Sequence, residues 1–354
     1  MKIYIRSSAC ISAQNTFGTD GFLTDVVPYH GTRLKTIEPD YKEFIDPKLL
    51  RRMSHVLKMG VAAAMQCLKQ GDTEMPGAII TGTAYGCMDD TVAFLSRIIE
   101  QNEELLSPTA FIQSTHNTVA SQIALMLKCH NYNTTFVHKG ASFENALLDA
   151  VLLLKENEAD NVLVGGIDEM NDAAFAILSR LGLYKRWPVS NLDLYATKTR
   201  GSMGGEGTAF FLLTDRASAN NLAELKGVKT IYKPASSEDF EKRVVSFLAQ
   251  NSLSIDDIDL VITGRSGDTW HDEAYKQINQ SLFKHTGLAN YKHLSGEYPT
   301  STAFALWLAS NIIKNKAVPE TVIERRGKEM APKTILIYNH YQKKYHSLIL
   351  VSAI

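Results

Sequence analysis

The stretch NTTFVHKGASFENALLDAVLLLKENEADNVLVGGID, residues 133–168, decides the predicted fold of this chain. Its β-branched and aromatic start predicts a strand over residues 133–137. Ser142 then opens a helix, because apolar residues recur there at three- and four-residue steps: Phe143, Ala146, Leu147, Ala150, Leu153 and Leu154. The apolar run VLVGG that follows predicts a buried strand. The stretch is therefore predicted to form a strand, a sharp turn, a helix and a second strand.

The turn inside this unit has the form in which α/β enzymes hold a nucleophile. An abrupt strand-to-helix turn exposes one side chain and directs the amides of the helix N-terminus toward it. The turn consists here of His138, Lys139, Gly140, Ala141 and Ser142, and none of them is a cysteine. The identity of the nucleophile, if there is one, becomes the main question about function.

Length and composition narrow the class of protein. The chain has 354 residues, 45% of them hydrophobic, and a net charge of −1, so no overall basic field attracts nucleic acid or anionic membrane. Its cysteines form no C-x-x-C pair and show no metal-ligand spacing with the ten histidines. No signal-peptide pattern and no run of about 18 apolar residues occurs. We therefore expect a cytoplasmic protein with reduced cysteines that uses no metal or cofactor.

Strands and helices alternate along both parts of the chain. Residues 46–71 predict a long helix with Asp46 as its cap, and GAIITGTAYG (77–86) predicts a strand whose small final residues allow a ligand close to the backbone. GSMGGEGTAFFLLTDRA (201–217) predicts a glycine-rich turn that leads into a strand at 208–214. The alternation then starts again, with strands predicted at 227–233 and near 291–294 and a final hairpin. This pattern predicts duplicated α/β/α halves, residues 1–215 and 216–354.

Four segments resemble, in matching order, the β-ketoacyl-acyl-carrier-protein synthases, which are the condensing enzymes of the thiolase superfamily. The segments are RRMSHVLKMGVAAAMQCL (51–68), GTAYG (82–86), ADNVLVGGIDEM (159–170) and GSMGGEGTAFFLL (201–213). The resemblance implies a thiolase fold of five layers, αβαβα, a dimer whose partner abuts the nucleophile turn, and an acyl tunnel. It also implies decarboxylative condensation of acyl and malonyl thioesters by one cysteine and two histidines.

The chain departs from this family at each catalytic position. The family cysteine falls at or beside Gly140, the first histidine at Arg265 and the second at Glu297, while the family lysine is kept as Lys292. NHYQKKYH (339–346) replaces the family's C-terminal glycine-rich loop. Because an unpaired buried charge is costly, we expect Arg265 and Glu297 to pair, with Lys292 joining them, and so to block the old active site.

Other residues are candidates for the missing chemistry. Ser142 with His138 as its base, or Cys87 at a helix N-terminus, would allow acyl transfer, although a helix cap and a buried structural thiol are the favoured interpretations. His138 and Lys139 flank the turn at the implied dimer interface, where local hydrogen bonding is favoured over a role in the partner's site. His116 precedes a helix that lines the acyl region in the family, and capping or packing is favoured there.

The sequence favours a ketosynthase-like subunit without condensing activity, similar to the chain-length factors of polyketide and aryl-polyene-type ketosynthases. It would form a heterodimer with a cysteine-bearing ketosynthase. One alternative is an active condensing enzyme or acyltransferase with an atypical nucleophile, Ser142 or Cys87. Another is a homodimer that holds acyl carrier protein or an acyl ligand without turnover. A dinucleotide enzyme is disfavoured, because GSMGGEG precedes a strand rather than joining a strand to a helix.

Small basic clusters are candidate docking sites for an acidic acyl carrier protein, and solvated helix faces and loops explain them equally well. The clusters are Arg51 and Arg52; Arg325, Arg326 and Lys328; and Lys343 and Lys344.

Overall fold

The computed structural model describes residues 1–18, 22–104 and 106–354. The strands in this part of the chain are β1 (Tyr4–Ile11), β2 (His30–Gly31), β3 (Ala78–Gly82), β4 (Tyr132–Phe136), β5 (Asn161–Asp168), β6 (Val189–Ser190), β7 (Gly207–Thr214), β8 (Ala223–Tyr232), β9 (Leu260–Thr263), β10 (Gly287–Asn290), β11 (Ile323–Arg325), β12 (Thr334–Tyr341) and β13 (Tyr345–Ser352). The helices are α1 (Pro47–Leu50), α2 (His55–Gln70), α3 (Met88–Glu100), α4 (Pro108–Gln113), α5 (Thr118–Leu127), α6 (Ser142–Lys155), α7 (Asp172–Arg180), α8 (Ser237–Gln250), α9 (Glu273–Ser281), α10 (Lys292–Ser295) and α11 (Thr302–Asn315).

The sheet shows the same topology twice. The first half has the strand order β4-β3-β5-β7-β1, and the second has β10-β9-β12-β13-β8 with β11 added at its outer edge. In both halves the three outer strands of the repeat run parallel, and the two strands nearest the centre pair antiparallel. A short antiparallel contact between β1 and β8 joins the halves into one 11-stranded sheet. The predicted duplication is thus visible in the strand order, while the boundary at residues 215 and 216 stays a prediction.

Helices cover both halves of the sheet and also lie between them. Neighbouring strand residues point to opposite faces, so Leu163 packs against α2 and α5 on the outside, whereas Val164 packs against α6 and α11 on the inside. In the second half, Leu336 faces α8 and α9, and Ile337 faces the central helices. The resulting order of layers is helices, sheet, helices, sheet, helices. The predicted five-layered α/β architecture is confirmed.

Two predicted elements differ from the structure. The long helix predicted over residues 46–71 is broken into α1 and α2, because Ser54 adopts an extended backbone (ψ 172°) before α2 begins. Asp46 caps the short first piece by accepting the Lys48 amide at 2.7 Å. The strand predicted near 291–294 lies earlier, as β10, and those residues form α10 instead. Within residues 1–18, 22–104 and 106–354, no helix is long and apolar enough to span a membrane.

Candidate functional site

The turn between β4 and α6 is closed by its own serine. Lys139 has φ +50°, which makes the turn abrupt, and the chain then enters α6 through Gly140 and Ala141. The Ser142 hydroxyl accepts the His138 amide at 2.7 Å and donates to the Lys139 carbonyl at 2.8 Å. Ser142 is therefore the first helical residue and braces the turn from inside, rather than capping α6 as favoured from sequence.

The small residues at the end of β3 make room for this same turn. A Cβ atom on Gly82 would lie 2.5 Å from the Ser142 carbonyl oxygen, so only glycine lets α6 start this close to β3. The backbone that approaches β3 here is the start of α6 and not a bound ligand. The glycine thus positions the turn.

Gly140, at which the resemblance predicts the family nucleophile position, is covered by a tyrosine. Gly140 is buried, and a Cβ atom placed on it would lie 2.2 Å from Cβ of Tyr341 at the end of β12. The Tyr341 hydroxyl is 3.1 Å from the Tyr85 hydroxyl, which follows β3. Tyr341 therefore occupies the space that a cysteine side chain at residue 140 would need.

The weaker nucleophile candidates are not arranged for attack. The His138 ring lies against Tyr345, with ring centres 5.8 Å apart, and its Nδ1 is 3.0 Å from Asn145 Nδ2, so it is not oriented as a base for Ser142. Cys87 is fully buried just before α3. Burial raises the pKa of its thiol to about 12, and the negative charges of Glu169 and Asp90 act in the same direction. The thiolate needed for nucleophilic attack is therefore scarce at neutral pH.

Lys292 and Glu297, the residue predicted to replace the second family histidine, form an ion pair. The distance from Lys292 Nζ to Glu297 Oε2 is 2.6 Å, and the side chains are 1% and 16% exposed. Burial raises the pKa of Glu297, while the nearby Lys292 ammonium opposes that rise. Lys292 therefore pairs with Glu297, and the assignment of this pair to the old active site stays a prediction.

Arg265 has other partners than the one expected. Its Nη1 contacts Glu324 Oε1 at 2.5 Å, and its Nε lies 3.8 Å from Asp272 Oδ2. The guanidinium also lies over the Tyr195 ring, 5.3 Å from the ring centre. The predicted Arg265–Glu297 pair is wrong. Arg265 pairs with the carboxylates of Glu324 in β11 and Asp272 before α9, and Glu297 pairs with Lys292.

Little space remains beside these charges. A cavity of about 20 Å³ is lined by Leu183, Tyr184, Ser202, Gly264, Ser266, His271, Glu297, His340, Tyr341 and Gln342. That volume holds about one water molecule, far less than an acyl chain. His116 is not among the lining residues; it is exposed and packs across Gly86 before α5. The resemblance had implied that His116 lies near the old active site. The structure instead places it away from this cavity.

Two histidines that were not predicted from the sequence line the cavity. His340 is buried, its Nε2 lies 3.0 Å from the His271 carbonyl oxygen, and its ring stacks on Tyr275 with centres 4.3 Å apart. Burial holds its pKa well below the usual range, so it is neutral at pH 7. His271 Nδ1 lies 3.4 Å from Asp268 Oδ2. The sequence signal that could have indicated this arrangement was the segment NHYQKKYH. Bulky side chains there can fill the space that a glycine at residue 140 leaves open.

Asp168 ties the turn after β3 to the start of α11. One carboxylate oxygen accepts the Thr83 hydroxyl and the amides of Ala84 and Tyr85 at 2.8–3.3 Å. The other accepts the amide and hydroxyl of Thr300 at 3.1 and 2.8 Å. This carboxylate therefore joins the turn after β3 to the residues just before α11 through hydrogen bonds of both its oxygens.

Replacing Asp168 with asparagine should lower the free energy of unfolding by about 1.5–3 kcal/mol, the usual worth of a hydrogen bond to a charged group. An asparagine has a single acceptor oxygen, so it serves the Ala84 side or the Thr300 side but not both. The measurement is urea denaturation, compared with Asp160→Asn, whose side chain is 77% exposed and pairs with Arg216. Equal unfolding midpoints for the two variants would show that Asp168 does not brace the site.

No group of three histidine, cysteine, aspartate or glutamate side chains is placed to hold a metal in the described ranges of the chain. The described site offers ion pairs and the neutral ring of His340.

Residues 32–192 match the family described as beta-ketoacyl synthase, N-terminal domain. The match includes the turn at Gly140 and the strands on either side of it. No curated protein matches the chain by sequence.

Solved structures share the whole fold at low sequence identity. The ishigamide ketosynthase/chain length factor has a TM-score of 0.81 and 18% identity, covering 100% of this chain and 99% of that one. AntDE:AntF, a type II polyketide synthase acyl-carrier protein in complex with its ketosynthase bound to the hexaketide, has a TM-score of 0.80 and 13% identity, covering 100% and 99%. The ketosynthase ApeO in complex with its chain length factor ApeC from Xenorhabdus doucetiae has a TM-score of 0.74 and 17% identity, covering 100% of this chain and 98% of that one. This chain thus shares its fold with ketosynthases and chain length factors, and its residues 32–192 match the beta-ketoacyl synthase N-terminal domain.

Proposed function

We propose that this chain is a non-catalytic, chain-length-factor-like subunit that pairs with a cysteine-bearing ketosynthase. The observation that carries the proposal is Tyr341, which fills the space of a side chain at Gly140. A condensing enzyme needs a nucleophile at this turn and room for an acyl thioester beside it. Here the position has neither a reactive side chain nor space for one.

The charges around the old site support the same function. Neutral histidines promote decarboxylation by donating hydrogen bonds to a developing oxyanion. In their places this chain has Arg265, held by Glu324, and Glu297, held by Lys292. A carboxylate at the oxyanion position would repel the charge that forms, so Glu297 opposes the family reaction.

The open side of β4 is the surface proposed for the ketosynthase partner. β4 is the last strand of the sheet, with β3 as its one neighbour in the part of the chain that the structure describes, so its outer amides and carbonyls are free to pair with another strand. Large apolar side chains are exposed on β4, directly after it and on α5, which packs against it, and we call them, with β4, the edge face: Leu125, Tyr132 and Val137. Exposed apolar surface beside an open strand is typical of an obligate interface.

The contents of two solved structures support a ketosynthase as the proposed occupant of the edge face. The ApeO–ApeC structure contains a ketosynthase and its chain length factor, and the ishigamide structure carries both names. A homodimer through the edge face is the second arrangement. In either case the partner would supply the apolar cover that this chain lacks.

The basic clusters differ in their fitness to dock an acyl carrier protein. Arg325 donates to the carbonyls of Phe283 and Thr286, and Arg326 pairs with Glu320 at 2.6 Å, so that cluster is largely engaged. Lys343 lies over the Trp270 ring, 4.3 Å from its centre, next to residues that line the cavity. We propose that any carrier contact uses Lys343 or the exposed pair Arg51 and Arg52.

The experiment that tests this function is intact-protein mass spectrometry after incubation with acyl-loaded carrier protein. The chain is measured alone and together with a cysteine-bearing ketosynthase from the same gene neighbourhood. We expect no acyl mass on this chain in either case, acyl mass on the partner, and a product length that depends on this chain being present. The control is a partner whose nucleophilic cysteine is replaced with alanine, which should leave both subunits unlabelled.

Other outcomes would favour the alternatives. Acyl mass on this chain alone would overturn the proposal and direct peptide mapping to Ser142 and Cys87. Saturable binding of acyl carrier protein by a homodimer, without labelling and without effect on any ketosynthase, would instead indicate a holding protein.

A further inference from the structure

A second pocket, of about 340 Å³, opens where α2, α3 and α7 begin. It is lined by Lys35, Thr36, Glu38, His55, Asp89, Glu169, Met170, Asn171, Asp172 and Glu206. Among the described residues it has no lining residue in common with the cavity at Glu297. The mechanism proposed for the old active site makes no use of it, yet carboxylates dominate its wall.

A histidine joins two of these carboxylates. His55 Nδ1 lies 3.1 Å from Glu38 Oε1, and its Nε2 lies 3.4 Å from Glu206 Oε1. Glu206 also accepts the amides of Thr36 and Met170 at 3.2 and 3.1 Å. These acids raise the pKa of His55 despite its burial, so the imidazolium offsets part of their charge.

A third carboxylate has an oxygen that is not used. Glu169 is 3% exposed, and its Oε1 accepts the Asp89 amide at 2.9 Å. Its Oε2 is buried and has no hydrogen-bond partner among the residues that the structure describes. Because a buried carboxylate oxygen without a donor is costly, this oxygen indicates a donor that the chain itself does not supply.

The remaining cations do not balance this acidity. Arg33 pairs with Asp172 at 2.5 Å and lies over the Phe175 ring, so it is committed at the rim. Lys35 lines the pocket, while Glu169 and Asp89 have no ion-pair partner within residues 1–18, 22–104 and 106–354. The pocket therefore has carboxylate capacity left for one more positive group.

We propose that this pocket binds an alkylammonium group. An ammonium is a compact charge with three donors that can go to carboxylates of separate residues, whereas a guanidinium favours one carboxylate with both oxygens free. Only one oxygen of Glu169 is free, because the Asp89 amide takes the other. Met170 adds an apolar wall for a methylene stem. A metal ion fits less well, because the described residues include no group of three side chains placed to ligate one.

Proton release is a further expected sign of binding. Burial raises the pKa of Glu169 to about 7, and the charges of Asp89 and Asp90 raise it while His55 lowers it. An ammonium beside Glu169 would favour the ionised carboxylate, so the group would lose its proton on binding near neutral pH. The other charged groups that line the pocket are Lys35, Glu38, Asp172 and Glu206.

Isothermal titration calorimetry of the full chain with 1,5-diaminopentane tests the proposal. We expect saturable binding, and at pH 7 a heat that changes with the ionisation enthalpy of the buffer because a proton is released. Glu169→Gln keeps the acceptor for the Asp89 amide but removes the charge, and should weaken binding by about tenfold or more. Glu156→Gln, an exposed acid at the end of α6, is the matched control and should bind like the wild type.

The source of the ammonium is distinguished by a second titrant, Nα-acetyl-lysine methylamide. Binding of the diamine alone would identify a free amine as the ligand, and comparable binding of the lysine amide would extend the site to a lysine side chain of another protein. Absence of saturable heat with both, or equal affinity of the wild type and Glu169→Gln, would overturn the proposal. Neither result depends on acyl transfer, so the function proposed above succeeds or fails separately.

Discussion

Replacing Glu297 with leucine is expected to lower the free energy of unfolding by about 3–5 kcal/mol, the usual cost of breaking a buried ion pair. The reason is Lys292, whose side chain is 1% exposed and would be left as a buried ammonium without its carboxylate. Urea denaturation followed by circular dichroism measures the change. This is the largest effect of a single substitution that we expect in the old active site.

The double variant Lys292→Met and Glu297→Leu separates the cost of an unpaired charge from the value of the pair. We expect it to be far more stable than Glu297→Leu alone, because neither charge then remains buried. Glu320→Gln is the surface control: its pair with Arg326 is exposed, so the change should stay within about 1 kcal/mol. If Glu297→Leu unfolds at the same urea concentration as this control, the buried pair has no structural importance.

Replacing Gly140 with alanine should cost about 1–3 kcal/mol, as overpacking of a well-filled core usually does. The added methyl group would lie 2.2 Å from Cβ of Tyr341, which is bonded directly to the backbone and cannot swing away as the end of a flexible side chain can. Gly31→Ala is the matched control, since its nearest neighbour would be at 3.8 Å. Its unfolding midpoint should move much less than that of Gly140→Ala.

A double-mutant cycle assigns this cost to Tyr341. Gly140→Ala combined with Tyr341→Gly should lose less stability than the sum of the two single changes, because the second change removes the clash made by the first. Strict additivity would mean that Tyr341 does not occupy the nucleophile position. Gly140→Cys alone should gain no acyl label, since the tyrosine still covers residue 140.

Much of the fold could be predicted because its signals are local or repeated. The helix from Ser142 and the strands around it follow from apolar spacing, and both are present as α6, β4 and β5. The thiolase architecture followed from the order of four short segments. The break between α1 and α2 was missed because the residues around Ser54 have good helix periodicity, although serine is also a favoured residue just before a helix.

The site was harder to predict because its contacts join distant parts of the chain. Glycine at residue 140 and glutamate at residue 297 were visible, but the choice of partners was not, since Arg265 has Glu324 and Asp272 within reach as well. The tyrosine that covers Gly140 lies 201 residues away in sequence, at the end of another strand. Spacing along one sequence carries no information about such a contact.

The composition of β4 has a consequence for how the protein must be made in a cell. Its sequence, YNTTF, contains no lysine or proline and no bulge interrupts its pairing with β3, so it lacks the devices that keep open strands from joining one another. If the proposed pairing is right, copies made in excess of the partner would associate through β4 and be lost to aggregation. The yield of this chain expressed by itself should then rise when the proposed partner is translated alongside it.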